Sequence, residues 1–244
     1  MLLDAFKDII KHTSSLGFIE MVKVIGTSAT TKFETKDVDN TVIIFGEMYQ
    51  PIPGIDSTLG LSRLAVLKGY ISMHEGSDVN ISTEQRAGVS VPTEIIFDNK
   101  DGFVSNYRFM SESMINEQVK VPPFKGATWD VVTVPTKPAI SMLNDNAGVL
   151  GTFEKRFIVS VDKGTLKFNI GSGPTDRTTV PFAKNVTGTL KHQWSYPLAQ
   201  VLSILKLTDS AASSTMSFSD QGALKIDIDS GIGKYSFILP AGKA

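Results

Sequence analysis

The alternation of hydrophobic and polar residues is clearest near the C-terminal end of the chain. From Tyr196 to Leu207 apolar residues recur with helical spacing, whereas from Ala223 to Asp229 they alternate strictly with polar residues. Strict alternation is typical of an antiparallel sheet that packs one face on a core and exposes the other to water. The pattern therefore predicts a helix that packs on one face of a sheet with three strands: Thr215–Ser219, Ala223–Asp229 and Lys234–Leu239.

A similar pattern occurs once before. Asp56–Tyr70 predicts a helix, with Asp56 or Ser57 as its cap, and three predicted strands follow: Val79–Glu84, Glu94–Phe97 and Val104–Phe109. Two further predicted helices, Leu2–Ser14 and Lys137–Ala147, give each half of the chain two helices, and Thr136 is placed to cap the second of them. Such repetition indicates a chain made of two similar halves. The remaining predicted strands are Phe18–Ile25, Thr30–Glu34, Thr41–Met48, Trp129–Val134, Phe157–Val161, Thr165–Ile170 and one or two within Thr178–Leu190.

The composition changes between the halves. Residues Ser111–Thr128 are polar, contain Pro122 and Pro123, and show no sustained period, as expected of a linker. We therefore predict an α+β protein with an N-terminal domain at 1–110, an interdomain connector at 111–128 and a C-terminal domain at 129–244.

Composition excludes several kinds of site. The chain has no cysteine, which rules out disulfides and thiolate metal sites and fits a reducing compartment. Its three histidines are far apart in sequence, and no nucleophile–base set stands out, so we predict no metal, no cofactor and no enzymatic activity. Acidic residues interrupt the apolar N-terminus and no apolar run has membrane-spanning length, so we expect a cytoplasmic protein, in the host cytoplasm if it is viral. The net charge of −1 gives no overall attraction to nucleic acid.

Five segments, in order and spacing, resemble the DNA sliding clamps, the ring-shaped processivity factors of replicative DNA polymerases. The resemblance is to the two-domain subunits of proliferating cell nuclear antigen and of T-even-type phage clamps. It implies a DNA-clamp fold with two similar domains of antiparallel sheets and two helices each, forming a homotrimeric ring around double-stranded DNA. It also implies a DNA polymerase and a clamp loader as partners. The segments are Leu59–Lys68, Val104–Tyr107, Val161–Phe168, Ser213–Ser219 and Lys234–Pro240.

The resemblance assigns DNA-binding residues to the polar helix faces. Sequence-independent contact with phosphates requires basic side chains there. Arg63 and Lys68 transfer through a matching motif, and the others transfer by position only, while Asp4, Asp8 and Asp145 dilute the basic faces. The alternative is that these are ordinary solvated faces. The expected DNA-binding residues are Lys7, Lys11, Arg63, Lys68, Lys137 and Lys206.

Two more surfaces follow from the resemblance. Val119, Val121 and Pro122 resemble a connector that forms one wall of a groove for peptides from replication proteins, with Leu239 and Pro240 on the other wall. Alternatively, Val119 and Val121 only tether the loop. The second surface is a subunit interface that would contain Val104, Tyr107 and Phe109. There the edge Val104–Met110 would pair with the Thr178–Leu190 region of the next subunit. Alternatively, Tyr107 is a half-buried aromatic residue of the sheet.

The predicted function is therefore a sliding clamp that encircles duplex DNA and raises polymerase processivity. The alternative is a viral structural protein built of β-sandwiches, without clamp activity. A single-strand binder ranks third, because it needs exposed aromatics beside basic residues, and Trp129 and Trp194 lie within apolar patterns. An enzyme ranks last. We expect the protein to come from a phage-like source.

Overall fold

The computed structural model describes residues 2–86, 88–99, 101–174 and 176–243, with Lys243 described by its backbone only. The chain divides into two compact units. Unit 1 comprises Met1–Pro122 and Gly231–Tyr235, and unit 2 comprises Pro123–Ser230 and Ser236–Ala244. The break after Pro122 falls within the predicted connector, while the division into domains at 1–110 and 129–244 stays a prediction.

Unit 1 contains two antiparallel sheets and three helices. The strands β4, β1, β2 and β3 are hydrogen-bonded in that order, and β5, β6 and β7 form a second sheet. Its elements are α1 (Leu2–His12), β1 (Val22–Gly26), β2 (Thr31–Lys36), β3 (Ile43–Met48), β4 (Thr58–Leu61), α2 (Leu64–Met73), β5 (Asp78–Arg86), β6 (Val89–Asp98), β7 (Val104–Arg108) and α3 (Glu112–Gln118).

Unit 2 has a sheet in the order β11, β10, β9, β12, β16 and a second set of strands in the order β14, β13, β8. The long strand β15 begins among the unit 1 residues and continues into unit 2. The elements are β8 (Val131–Thr133), α4 (Lys137–Leu150), β9 (Arg156–Asp162), β10 (Thr165–Ile170), β11 (Thr178–Ala183), β12 (Trp194–Pro197), α5 (Leu198–Leu205), β13 (Ser213–Ser219), β14 (Ala223–Asp229), β15 (Gly233–Pro240) and β16 (Gly242–Lys243).

The predicted duplication is confirmed by the order of the elements. A helix, four strands, a helix and three strands follow one another from α1 to β7, and the same order recurs from α4 to β15. The sheet order repeats as well, because β4, β1, β2, β3 of the first copy corresponds to β12, β9, β10, β11 of the second. The predicted α+β class with antiparallel sheets is also confirmed.

Two predicted helices begin later than predicted. Within Asp56–Tyr70 the segment Thr58–Leu61 is strand β4, which pairs with β1, and α2 begins only after Arg63. Neither Asp56 nor Ser57 therefore caps a helix. The predicted helix Tyr196–Leu207 likewise starts as strand β12. Both segments have apolar residues on each side of the boundary between strand and helix, and periodicity alone does not locate that boundary.

A fifth helix, α3, lies inside the stretch predicted to be an unstructured linker, so unit 1 has three helices rather than two. Its single buried anchor, Ile115, packs over Gly60, where an added Cβ would lie 2.7 Å from the Ile115 Cδ1 atom. One anchor in seven residues gives no period to detect. Other ends also differ: β1 begins at Val22, the Thr178–Leu190 region forms one strand, and β16 was not predicted.

The core of unit 2 is a cluster of aromatic rings. Phe168 lies at its centre, with its ring centroid 4.6 Å from Phe157, 4.3 Å from Phe182 and 5.9 Å from Phe218. These rings come from β9, β10, β11 and β13. The cluster therefore joins strands of both sheets of the unit, and burial of such rings is a major source of stability.

A buried polar group in unit 1 connects α1 to residues 231–235. The Tyr235 hydroxyl donates to Asp8 Oδ2 over 2.7 Å, and His12 Nδ1 lies 3.3 Å from Asp8 Oδ1. The His12 ring stacks on the Tyr235 ring with centroids 3.9 Å apart. Burial, and next the charge of the Asp8 carboxylate, raise the pKa of Tyr235 well above its usual value. The group fixes the first helix of the chain against its last long strand.

The hydroxyl of Tyr235 should therefore contribute measurably to stability. We expect Tyr235→Phe to lower the free energy of unfolding by about 1.5–3 kcal/mol, the range for a hydrogen bond to a charged group. Urea denaturation measures the change. Tyr70→Phe is the control, because Tyr70 lies in the same unit without a side-chain hydrogen bond to the described residues. Equal stability of the two variants would contradict the assignment.

Candidate nucleic-acid and partner interfaces

The polar face of α1 carries the first two predicted DNA-binding residues. Lys7 and Lys11 lie one turn apart and are both half-buried. Lys7 Nζ is 3.2 Å from Glu75 Oε1, which follows α2. The charge of Lys7 is therefore already compensated within unit 1.

Arg63 and Lys68 lie at the start of α2 and within it, and both are exposed. Arg63 adopts a left-handed backbone conformation with φ of 49°. The segment before it is fixed, because the buried Tyr107 hydroxyl donates to the Ser62 carbonyl. Burial raises the pKa of Tyr107, so this hydroxyl remains a donor at neutral pH. Neither Arg63 nor Lys68 forms an ion pair with a residue that the structure describes.

The predicted DNA-binding residues of unit 2 lie at helix ends. Lys137 is exposed at the start of α4, where Thr136 caps the helix as predicted by accepting from the Ala139 N–H. Lys137 Nζ is 3.6 Å from Asp209 Oδ1. Lys206 follows α5 and lines a cleft of about 800 Å³ between α4 and α5. All six predicted cations thus lie on or beside helices, and their contact with DNA stays a prediction.

Strand β7 is an edge of its sheet. The Phe109 N–H donates to the Thr93 carbonyl over 2.9 Å, so odd-numbered residues of this segment direct their backbone groups toward β6. Even-numbered residues point the other way, and Met110 there exchanges two hydrogen bonds with Gly60 of β4. The outward groups of Val104, Asn106 and Arg108 have no described strand beside them.

The side chains predicted for the subunit interface lie in different environments. Val104 is half exposed, and Phe109 is partly buried with its ring edge-on to Tyr107. Tyr107 is only 1% exposed and belongs to the core of unit 1. An interface role for Tyr107 stays a prediction, but Tyr107→Ala would disturb the core of its own unit. A substitution that changes only the backbone edge of β7 therefore tests the interface more directly.

The second predicted edge is β11, which ends the five-stranded sheet of unit 2. Pro181 lies within it and is exposed, beside a register shift in the pairing with β10. Proline lacks an N–H and is tolerated in sheets at edges and bulges. The Thr178–Leu190 region therefore offers a free strand edge at Thr178–Ala183 only.

The predicted connector residues of unit 1 follow directly after α3 in the chain. Val119 is buried and lines a cavity of about 230 Å³ together with Met21, Val38 and Gln118. Val121 is half-buried and Pro122 is exposed. Val38 is 75% exposed. It lies between β2 and β3, outside every predicted strand and helix, so no sequence pattern pointed to it.

The other predicted groove residues, Leu239 and Pro240, belong to unit 2. Leu239 is fully buried and Pro240 is exposed. Of this pair, only Pro240 presents side-chain surface within its unit. The partner-peptide groove as a whole stays a prediction.

Comparisons with solved structures identify the fold. Proliferating cell nuclear antigen from Entamoeba histolytica superposes with a TM-score of 0.69 at 13% identity, over 98% of this chain and 96% of that one. The antigen from A. fulgidus, solved with the C-terminal region of FEN-1 bound, gives a TM-score of 0.71 at 11% identity, over 100% and 97%. The chain matches no protein-family model and no curated protein.

The class defined by this architecture is the duplicated sliding-clamp fold, and the predicted resemblance is confirmed at the level of fold. The particular fold is that of proliferating cell nuclear antigen, which this chain matches along its whole length. Within the described part of the chain, no helix is long and apolar enough to cross a bilayer.

The packing of α3 should determine how firmly the connector is held. We expect Ile115→Ala to remove the contact with Gly60, at a cost of about 2–5 kcal/mol, and to speed tryptic cleavage after Lys120 and Lys125, which are exposed. Met114→Ala is the matched control, because Met114 is exposed on the same helix. Equal digestion rates for both variants would show that α3 does not anchor the connector.

Proposed function

We propose that three copies of this chain close into a ring around duplex DNA and tether a DNA polymerase to it. The observation that carries the proposal is the match to the clamp fold over essentially the whole chain. The protein acts as a scaffold rather than as an enzyme.

Ring closure would use the two free edges. Strand β7 of one copy pairs with β11 of the next, so each copy contributes one edge of each kind. This contact is heterologous, and such contacts form rings when the rotation between neighbours closes. Two similar units per copy and three copies give six similar units around the hole. The support is that both edges expected from the sequence are sheet edges without a partner among the described strands.

The ring would act by topology. Helices α1, α2, α4 and α5 line the hole, and some of the cations on or beside them contact phosphates without reading sequence. A closed ring needs no tight contact, because threaded DNA cannot leave sideways. The tethered polymerase then stays at high effective concentration near its template. A closed ring also requires a loader that opens it, which we propose as a second partner.

The connector would supply the docking site for the polymerase. The structure from A. fulgidus contains the C-terminal region of FEN-1 bound to the clamp, which supports a peptide-binding surface in this fold. In this chain we assign the docking surface of unit 1 to Val119, Val121 and Pro122, and we propose the exposed Pro240 of unit 2 as a separate candidate. The small cavity beside Val119, bordered by the exposed Val38, supports an apolar docking point.

Retention on plasmid DNA tests the function. Protein loaded on a nicked circular plasmid should co-elute with it in gel filtration at a salt concentration that removes free protein. Cutting the plasmid once should release the protein, since a ring slides off open ends. Equal retention on circular and linear DNA, or none on either, would contradict encirclement.

Removal of one outward N–H from β7 should weaken the trimer. We expect Asn106→Pro to raise the trimer dissociation constant about tenfold or more, because a lost hydrogen bond and the added ring cost about 1.4 kcal/mol. Sedimentation velocity measures the change. Asn106→Ala is the control, because it removes the side-chain contact with Glu94 but keeps the N–H. A proline variant that remains as trimeric as the alanine variant would exclude β7 from the interface.

A charge on the connector should weaken partner binding and leave the ring intact. We expect Val121→Asp to reduce affinity for the cognate polymerase at least about tenfold, since an unpaired carboxylate would enter an apolar contact. Isothermal calorimetry measures the affinity. Asn116→Asp adds the same charge on the exposed face of α3 and should have little effect. Unchanged affinity of Val121→Asp would remove the connector from the docking site.

A further inference from the structure

The exposed cations are distributed unequally between the helices of the two units. In unit 1, Arg63 and Lys68 lie within two turns of each other, and both are exposed without an ion pair to any described residue. Lys7 is different, because its charge is compensated by Glu75. Among the predicted DNA-binding residues of unit 1, the α2 segment therefore carries two cations that are exposed and form no ion pair with a described residue.

The helices of unit 2 present a nearly uncharged surface. Helix α4 has 14 residues, and beyond Lys137 the only charged one is Asp145. Lys137 itself is paired with Asp209. The other exposed residues of α4 are neutral, and two of them, Met142 and Val149, are large and apolar. Helix α5 contains no charged residue at all.

The cleft between α4 and α5 continues this surface. It is lined by the amides of Asn144 and Gln200 and by the buried Leu202. Lys155 lines one part of the cleft directly beside Glu154 in sequence, and its Nζ donates to the Gly151 carbonyl over 2.9 Å. Of the two cations that line this cleft, Lys206 is the one without a hydrogen bond or an ion pair to a described residue.

We infer that duplex DNA in the ring is held by the α2 segment of unit 1, through Arg63 and Lys68, whereas α4 and α5 of unit 2 form a neutral surface past which it slides. This inference rests on the proposed function. Phosphate binding gains its free energy largely from cations that displace counterions, and a cation already paired with a carboxylate must give up that partner first.

The test compares two double variants that remove equal charge. Arg63→Asn with Lys68→Gln removes the unit 1 pair, and asparagine tolerates the left-handed conformation at position 63. Lys137→Gln with Lys206→Gln removes two cations from unit 2. Fluorescence anisotropy measures binding to a short blunt duplex across a range of low salt concentrations, and thermal unfolding verifies that both variants are folded.

We expect the unit 1 variant to lower the slope of log affinity against log salt by about 1.8, since each lost phosphate contact lowers it by about 0.9. The unit 2 variant should lower it by about 0.9 at most, because Lys137 is paired with Asp209 and only Lys206 is available for a phosphate. Equal slopes for the two variants, a larger loss in the unit 2 variant, or wild-type binding that does not depend on salt would each overturn the inference. Retention of the wild type on circular but not linear plasmid is measured separately, so failure of the proposed ring is distinguishable from failure of this charge assignment.

Discussion

Backbone N–H and C=O groups at the edge of a sheet need hydrogen-bond partners, and the proposed ring depends on how those of β7 are paired. The backbone groups of the odd-numbered residues of β7 form hydrogen bonds with β6, and those of Met110 form hydrogen bonds with Gly60. The N–H and C=O groups of Val104, Asn106 and Arg108 point outward and have no described strand beside them. This row of groups is held in place, because Tyr107 is buried and its hydroxyl donates to Ser62. A fixed and unpaired edge is a template for another strand, and β11 supplies a candidate with the same lack of a neighbour.

The two units share an order of elements but not a surface. Burial of α1, α2, α4 and α5 depends on their apolar faces, such as Phe6 and Ile9 in α1 or Leu143 in α4. Exposed positions on the same helices are free to differ, because they contribute little to the core. Unit 1 accordingly carries Arg63 and Lys68 at exposed positions of the α2 segment, whereas α4 carries Asp145, Met142 and Val149. The two units therefore repeat the same order of elements but differ in the charges that their helices expose.

The sequence predicted the elements whose period is unambiguous. Strand β10 was predicted with its observed ends, as was β14, where Leu224, Ile226 and Ile228 alternate with polar residues. The prediction failed where one segment contains both a strand and a helix, as at Thr58–Met73, and where a helix has a single buried residue, as at Ile115. Arg63 and Lys68, which were predicted as DNA-binding residues, are exposed. The burial of Tyr107 was not predicted, because it depends on how β7 packs within its unit. Val38 beside the connector was missed because loop residues that meet through tertiary structure leave no local pattern.

The central claim is that the free edge of β7 is closed by a second copy of this chain, and amide hydrogen exchange tests it most directly. The N–H groups of Val104, Asn106 and Arg108 point away from β6, so nothing within the described chain protects them. If β11 of a neighbouring copy covers them, their exchange should be slow at high protein concentration and should become fast on dilution below the dissociation constant, while Ser105 and Tyr107 stay protected. Fast exchange at these three amides at every concentration would contradict the account.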